Sequence, residues 1–244
     1  MSSTFEELDR QSTSMGEISL RRRLEPSLLV DVYEVQLNHE FLMSSLFTVA
    51  ERAMAGLALA QCAESELALD VLVGGLGLGY TACSVLDDTR VASLRVVDAL
   101  AAVVGWHERL LVPASERLMA DPRVEFVTAD FFALVAPPGD FGPDAPELFH
   151  AVLVDIDHTP RHLLHASHAA FYSRAGLAGL RARLHPGGVF ALWSDSAPDD
   201  DFVALLTEEF ATGEAHVVTF PNPYTGGSSS NTVYVATTPA ARER

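Results

Sequence analysis

The stretch from Leu69 to Asp98, LDVLVGGLGLGYTACSVLDDTRVASLRVVD, narrows the fold more than any other part of the chain. An apolar strand runs into Gly74, Gly75, Gly77 and Gly79, a helix follows, and a second apolar strand ends at Asp98. Strand, glycine turn, helix, strand and terminal acid in this order predict a parallel pair that holds the adenosine end of a nucleotide-like cofactor at the turn. Glycine suits such a turn because a side chain would block close approach of the ligand and because other residues resist positive φ. Asp98 lies 19 positions after Gly79, close to the roughly 20 expected for a carboxylate that accepts hydrogen bonds from both ribose hydroxyls. The loop reads G-G-x-G-x-G and lacks the third-glycine spacing of a nicotinamide-dinucleotide site. The four glycines, Asp98 and the adjoining Ala99 are therefore the cofactor-binding candidates.

The chain's 244 residues suffice for one large α/β domain with a small appendage. Its 48% hydrophobic and 20% charged content is that of a soluble globular protein. All 16 basic residues are arginine, and the net charge is −17. A phosphate-backbone partner needs clustered basic residues, so nucleic acid is not expected. An acidic surface attracts a cationic small molecule such as an amine, although solubility alone accounts for the same charge. The uncharged stretch from Val71 to Leu86 carries the glycine loop and is no membrane span. The first residues show no secretory pattern, so a cytoplasmic location is expected. Cys62 and Cys83 are too few for a disulfide framework or a cysteine zinc site.

Residues 1–14 are polar and read as a flexible tail. Residues 15–62 read as a β appendage with a linking helix: Leu28 to Leu37 favours a strand, and Ser44 to Ala60 favours a helix. Arg21, Arg22 and Arg23 fit either a solvated strand or a pocket wall. Residues 63–240 read as a Rossmann-like domain. After the glycine unit, a helix is expected over Ala99 to Leu110 and strands over Val124 to Thr128 and Phe149 to Val154. A long helix over His162 to Leu184, stopped by His185-Pro186-Gly187-Gly188, then leads to a strand over Val189 to Trp193 and a helix over Asp200 to Phe210. PNPYTGGSSSN separates two final strands as a hairpin, so the last strand enters antiparallel. The alternation predicts a seven-stranded, mostly parallel sheet with an antiparallel last strand, the sheet of S-adenosylmethionine-dependent transferases.

Ligands of open parallel sheets lie beyond the carboxyl ends of the strands, where Asp98, Asp130, Asp155 and Asp157 all fall. Asp130 suits the adenine amino group, with Phe131 beside it to cover the ring, and it equally suits the cap of the next helix. Asp155 lies where an amine attacking a sulfonium-activated carbon would need a proton acceptor. Asp157 follows as substrate anchor, His158 as proton relay, and Tyr172 as a hydroxyl within reach; a helix-capping loop and a core aromatic are the competing readings. His158, His162, His165 and His168 read as polar-face residues, and no metal is assigned. Tyr224 with Gly226 and Gly227 suits a mobile lid or an ordinary hairpin tip.

These segments together resemble the spermidine synthase-like family of polyamine aminopropyltransferases. The resemblance spans about Leu28 to Ala236 and is carried by the glycine loop, VVDALAAVVGWH, DPRVEFVTAD, VLVDIDHTP, AAFY and LHPGGVFALWS. It implies that Gly74 to Gly79 meet the sulfur side of the cofactor, decarboxylated S-adenosylmethionine or S-adenosylmethionine. It further implies that Asp98 holds the ribose, Asp130 the adenine, and Asp155 acts as base toward a small-molecule amine. A homodimer is a further family expectation. Where the family has an Asp in the glycine loop this chain has Gly77, and the family's Asp-Ser-Ser-Asp-Pro stands as Asp155-Ile156-Asp157-His158-Thr159-Pro160. The upstream Tyr-His pair is replaced by Leu46-Phe47-Thr48. Methyl transfer, 3-amino-3-carboxypropyl transfer and non-catalytic nucleotide binding are the alternatives the same scaffold allows.

Overall fold

A computed structural model of the protein describes residues 5–63, 68–137, 139–142 and 145–241. Four antiparallel strands come first: β1 (Phe5–Thr13), β2 (Gly16–Glu25), β3 (Val30–Leu37) and β4 (Glu40–Ser44) pair in sequence order. Helix α1 (Val49–Leu59) leads into β5 (Leu69–Gly74), α2 (Tyr80–Val85), β6 (Val91–Asp98), α3 (Ala101–Glu108), α4 (Ser115–Ala120), β7 (Val124–Thr128) and α5 (Phe131–Val135). The second half runs through β8 (Phe149–Val154), a 3-10 turn (Ala166–Ala170), α6 (Arg174–Arg181), β9 (Leu184–Ser194), α7 (Asp200–Glu209), β10 (Thr212–Asn222) and β11 (Gly227–Thr237). The main sheet has the order β10-β11-β9-β8-β5-β6-β7, parallel from β9 to β7, with β11 antiparallel to both neighbours. The expected fold class, including the separate amino-terminal sheet, is the observed one. No described helix is long and apolar enough to cross a membrane.

The central strands β5 and β8 are mostly apolar, with Asp70 and His150 as the polar exceptions near their starts, because helices or the small sheet cover both faces. Val71 and Val73 of β5 point into one core with Ile18, Leu20, Met54 and Trp106, while Leu72 points into the other with Phe149 and Phe190. Period-two alternation thus joins the amino-terminal sheet to one face of the large sheet. The strand order changes direction between β5 and β8, and their carboxyl ends, Gly74 and Val154, lie in register. That is the switch point at which a crevice opens.

Two elements differ from expectation. Residues 5–13 form an ordered edge strand, paired with β2 from Phe5↔Arg23 to Thr13↔Gly16, where a flexible tail was expected. The strand has almost no apolar content to signal it. It is fixed by charge: Arg22 meets Glu6 at 2.6 Å, and Asp9 accepts from Trp106 Nε1 at 2.7 Å and from Arg109 at 2.6 Å. The long helix expected from His162 is replaced by a loop, the 3-10 turn and the shorter α6. The buried Asp157 carboxylate captures the Leu164 N–H, and Ser173 accepts from Gly176 N–H to start a separate helix.

Candidate active site

Two adjoining cavities, each of ≈ 410 Å³, open at the switch point. Both are lined by Gly75, Gly77, Asp155 and Ile156, together with Leu42 and Met43 of the amino-terminal sheet. The first extends to Asp98, Ala99, Asp130, Phe131 and His168; the second extends to Glu51, Gly79, His158, Trp193, Phe220 and Asn231.

The glycine loop is shaped chiefly by what packs against it. Gly75 has φ +93, and a Cβ there would sit 2.0 Å from the Asp155 carbonyl oxygen, so the β5 turn and the β8 end approach as only glycine allows. Gly79 caps α2 at φ +87, and a Cβ would meet Leu118 and His107. At Gly74 a Cβ would lie 2.6 Å from the Phe131 ring. Gly74 therefore serves packing and lines neither cavity, whereas Gly77 lies against Met43 Sδ and faces both.

Asp98 closes β6 at the edge of the first cavity. Its Oδ2 accepts from Leu76 N–H at 3.0 Å and its Oδ1 from Leu100 N–H at 2.8 Å, which ties the glycine loop to the start of α3. Burial raises its pKa against these backbone donors. Asp130 caps α5 through Oδ1, which accepts from Phe132 N–H at 2.9 Å and Ala133 N–H at 3.3 Å. It also lines the first cavity, so cap and wall are one residue.

Asp155 stands where the cavities meet. Its Oδ2 accepts from the Thr81 hydroxyl at 2.8 Å, and burial, only partly opposed by that bond, raises its pKa to about 6. The sequence did not single out its neighbour Glu51. That carboxyl is raised to about 8, first by burial and second by the Asp155 charge. Two interacting carboxylates in a shielded site titrate as a pair, and one proton stays with them near neutral pH. Glu51 was visible in principle: Ala55 and Ala58, four and seven positions later, are buried, so an acid at position 51 sits at the margin of an apolar helix face.

The other candidates separate. Asp157 is 1% exposed and lines neither cavity; it accepts from Leu164 N–H at 2.7 Å and the Tyr172 hydroxyl at 3.0 Å, with His168 Nδ1 at 2.8 Å. It organises the loop after β8 and is not presented to a ligand as an anchor. Tyr172 is engaged with Asp157, and burial together with that carboxylate holds its hydroxyl well above the ordinary value. His158 lines the second cavity with Nδ1 3.6 Å from Asp195, and its ring lies 4.8 Å from His162. The histidine run is therefore split: His158 and His162 pair at the rim, His165 accepts from Ser167 N–H and lines the first cavity, and His168 joins the Asp157 network. Among the described residues, no cluster of three or more His, Cys, Asp or Glu is placed to hold a metal. Tyr224, at the β10–β11 hairpin, donates to Glu25 at 2.8 Å and accepts from Arg23 at 2.8 Å, pinning the hairpin to the amino-terminal sheet beside Phe47. Arg23 of the basic triplet is thus a tether for that hairpin.

No family model and no curated protein matches the sequence. Solved structures share the fold. A spermidine synthase from Thermotoga maritima aligns with a TM-score of 0.70 at 14% identity, covering 96% of this chain and 73% of its own. A spermidine synthase in complex with the transition state analogue AdoDATO aligns equally, TM-score 0.70 at 14% identity, over 96% of this chain and 74% of its own. Human methyltransferase-like protein 13 in complex with SAH aligns with a TM-score of 0.55 at 20% identity, over 80% of this chain and 84% of its own. The likeness is one of fold.

Proposed function

We propose that the protein is a group transferase that moves an alkyl group from an S-adenosylmethionine-type sulfonium to a small-molecule amine, with aminopropyl transfer as the leading form. One observation carries this reading: two cavities of ligand size meet at a single carboxylate, Asp155. The first cavity suits an adenosine. Asp98 offers carboxylate oxygen for the ribose, Asp130 Oδ2 has no hydrogen-bond partner among the described residues and suits the adenine amino group, and Phe131 and Ile156 are apolar walls for the base. When bound, the sulfonium supplies an electrophilic carbon and departs as a neutral thioether.

The residues of the second cavity handle the amine. It arrives as an ammonium, is drawn by the Asp155–Glu51 pair, and must lose a proton before its nitrogen lone pair forms the new C–N bond. Asp155, held by Thr81, takes that proton, and its raised pKa places it nearer neutrality than an ordinary aspartate. Glu51 keeps a proton in the pair and so limits the charge the buried site must bear. Asp157, Tyr172 and His168 fix the loop that forms the wall beyond Ile156.

A second reading, ordinary S-adenosylmethionine as donor, is favoured by one feature. The glycine loop offers no carboxylate to a cofactor amine at Gly77, and Met43 fills the space beside it. Methyl transfer and 3-amino-3-carboxypropyl transfer both follow from that donor. Coproduct analysis by mass spectrometry separates them. Methylthioadenosine from the decarboxylated cofactor marks aminopropyl transfer, methylthioadenosine from S-adenosylmethionine marks aminocarboxypropyl transfer, and S-adenosylhomocysteine marks methyl transfer. Absence of any amine-dependent coproduct would contradict the transferase reading and favour a nucleotide-binding role.

A further inference from the structure

Resting on the first cavity as the donor site, we propose that His107 is a positioning residue for the donor. From outside both cavities its Nε2–H holds the Gly77 carbonyl in the core, and this fixes the glycine loop in the form that receives a thioether nucleoside.

His107 is fully buried on α3 and lines neither cavity. Its Nε2 lies 2.9 Å from the Gly77 carbonyl oxygen. Burial lowers the pKa of the ring, which is therefore neutral at neutral pH. A carbonyl only accepts, so the one ring proton sits on Nε2 and Nδ1 carries a lone pair. The Ser115 hydroxyl, also fully buried, stands 3.4 Å from Nδ1 and donates to it. Gly79 leaves room for the ring, since a Cβ there would come within 2.8 Å of His107 Cε1, and Phe126 closes the seat with ring centroids 5.8 Å apart. One side chain therefore joins α3, the start of α4 and the glycine loop.

The hold falls on the loop residue that most needs one. Gly77 has φ +47, and without a Cβ its peptide swings at little cost. It faces both cavities. Its N–H is drawn to the Asp98 carboxylate, which also accepts from Leu76 and Leu100 N–H. Asp98 thus fixes one side of Gly77 and His107 the other. Without His107 the Gly77 carbonyl would be left in the core with no donor, a cost relieved by turning toward the water of the cavities. That turn would place a carbonyl oxygen where the donor lies and would slacken the loop against Asp98.

The test is calorimetric titration of the full chain with 5′-methylthioadenosine, in the unmodified protein, His107→Gln and His107→Leu. Glutamine carries an N–H near the place of Nε2 and should bind the nucleoside within about threefold of the unmodified protein, whereas leucine, which has no donor, should bind about tenfold more weakly. A role in packing alone predicts the reverse order, because leucine fills an apolar seat without burying an amide. Nitrogen NMR of the assigned histidines gives a second reading in the unmodified protein, whether or not the variants fold. The His107 proton should reside on Nε2, and its exchange with water should slow about tenfold or more at saturating nucleoside, since a ligand that needs the held loop must in turn favour the hold. A proton on Nδ1, exchange indifferent to the nucleoside, or leucine binding as tightly as glutamine overturns the proposal. Nucleoside that binds all three proteins alike removes this inference and leaves the donor site intact, whereas an unmodified protein that binds no nucleoside removes both.

Discussion

Replacing Glu51 with glutamine isolates the electrostatic cost of the acidic pair. Glu51 has a folded pKa of about 8 against an ordinary 4.5, with burial as the larger cause and the Asp155 charge as the second. The folded value is the higher one, so the folded state binds more protons between the two. The associated stability is fully present below about pH 4.5 and is lost as pH rises through about 8. At about 1.4 kcal/mol per pH unit the ceiling is roughly 5 kcal/mol. Glu51 touches solvent through the cavity, and screening reduces this to about 2 kcal/mol. Glutamine keeps the shape and never ionises, so Glu51→Gln should match the wild-type protein near pH 5 and exceed it near pH 9 by about 4–8 °C in melting temperature for a chain of this size. Thermal melts followed by circular dichroism across that range read the difference. A gap that stays flat with pH, or a wild-type protein that is the more stable near pH 9, would refute the assignment.

Three further outcomes follow from the same geometry. In Glu51→Gln the acid limb of any amine-dependent rate should stay in place, because Glu51 still holds its proton in the range where Asp155 ionises; a limb that moves to lower pH would show that Glu51 is the group that ionises first. Asp98→Ala should weaken binding of a thioether nucleoside by about 1–3 kcal/mol, read by calorimetry, since it removes a charged acceptor and also releases Leu76 and Leu100 from the loop; unchanged affinity would take Asp98 out of the site. Asp157→Ala strips partners from a buried tyrosine, a histidine and a backbone N–H. It should lower unfolding stability by about 2–4 kcal/mol in denaturant titration, and a loss below about 0.5 kcal/mol would contradict the organising role.

The sequence discloses what is local. The glycine loop, Asp98 at the strand end and the final hairpin each lie within one short stretch whose pattern follows from backbone geometry, and each stands where it is expected, except that the hairpin turn is tighter than PNPYTGGSSSN suggests: β10 continues to Asn222 and β11 begins at Gly227. The misread parts depend on distant partners. The strand Phe5–Thr13 has no apolar periodicity, and its order comes from Arg22, Trp106 and Arg109 elsewhere in the chain. The run after His162 has helical composition, yet Asp157 withdraws Leu164 and His168 into its own network. That network also explains why Asp157 and Tyr172, which look like pocket residues by their position after the strand, turn inward. The second cavity is the least legible feature. Glu51, Trp193, Phe220 and Asn231 come from four different elements, and no spacing connects them.

The account stands on Asp155 as the point where donor and acceptor meet, and Asp155→Asn tests this most directly. Asparagine still accepts from Thr81 but cannot take a proton, so the rate of amine-dependent coproduct formation should fall by about two orders of magnitude or more while thioether nucleoside affinity stays within about twofold. Coproduct formed at near wild-type rate by Asp155→Asn would contradict the account.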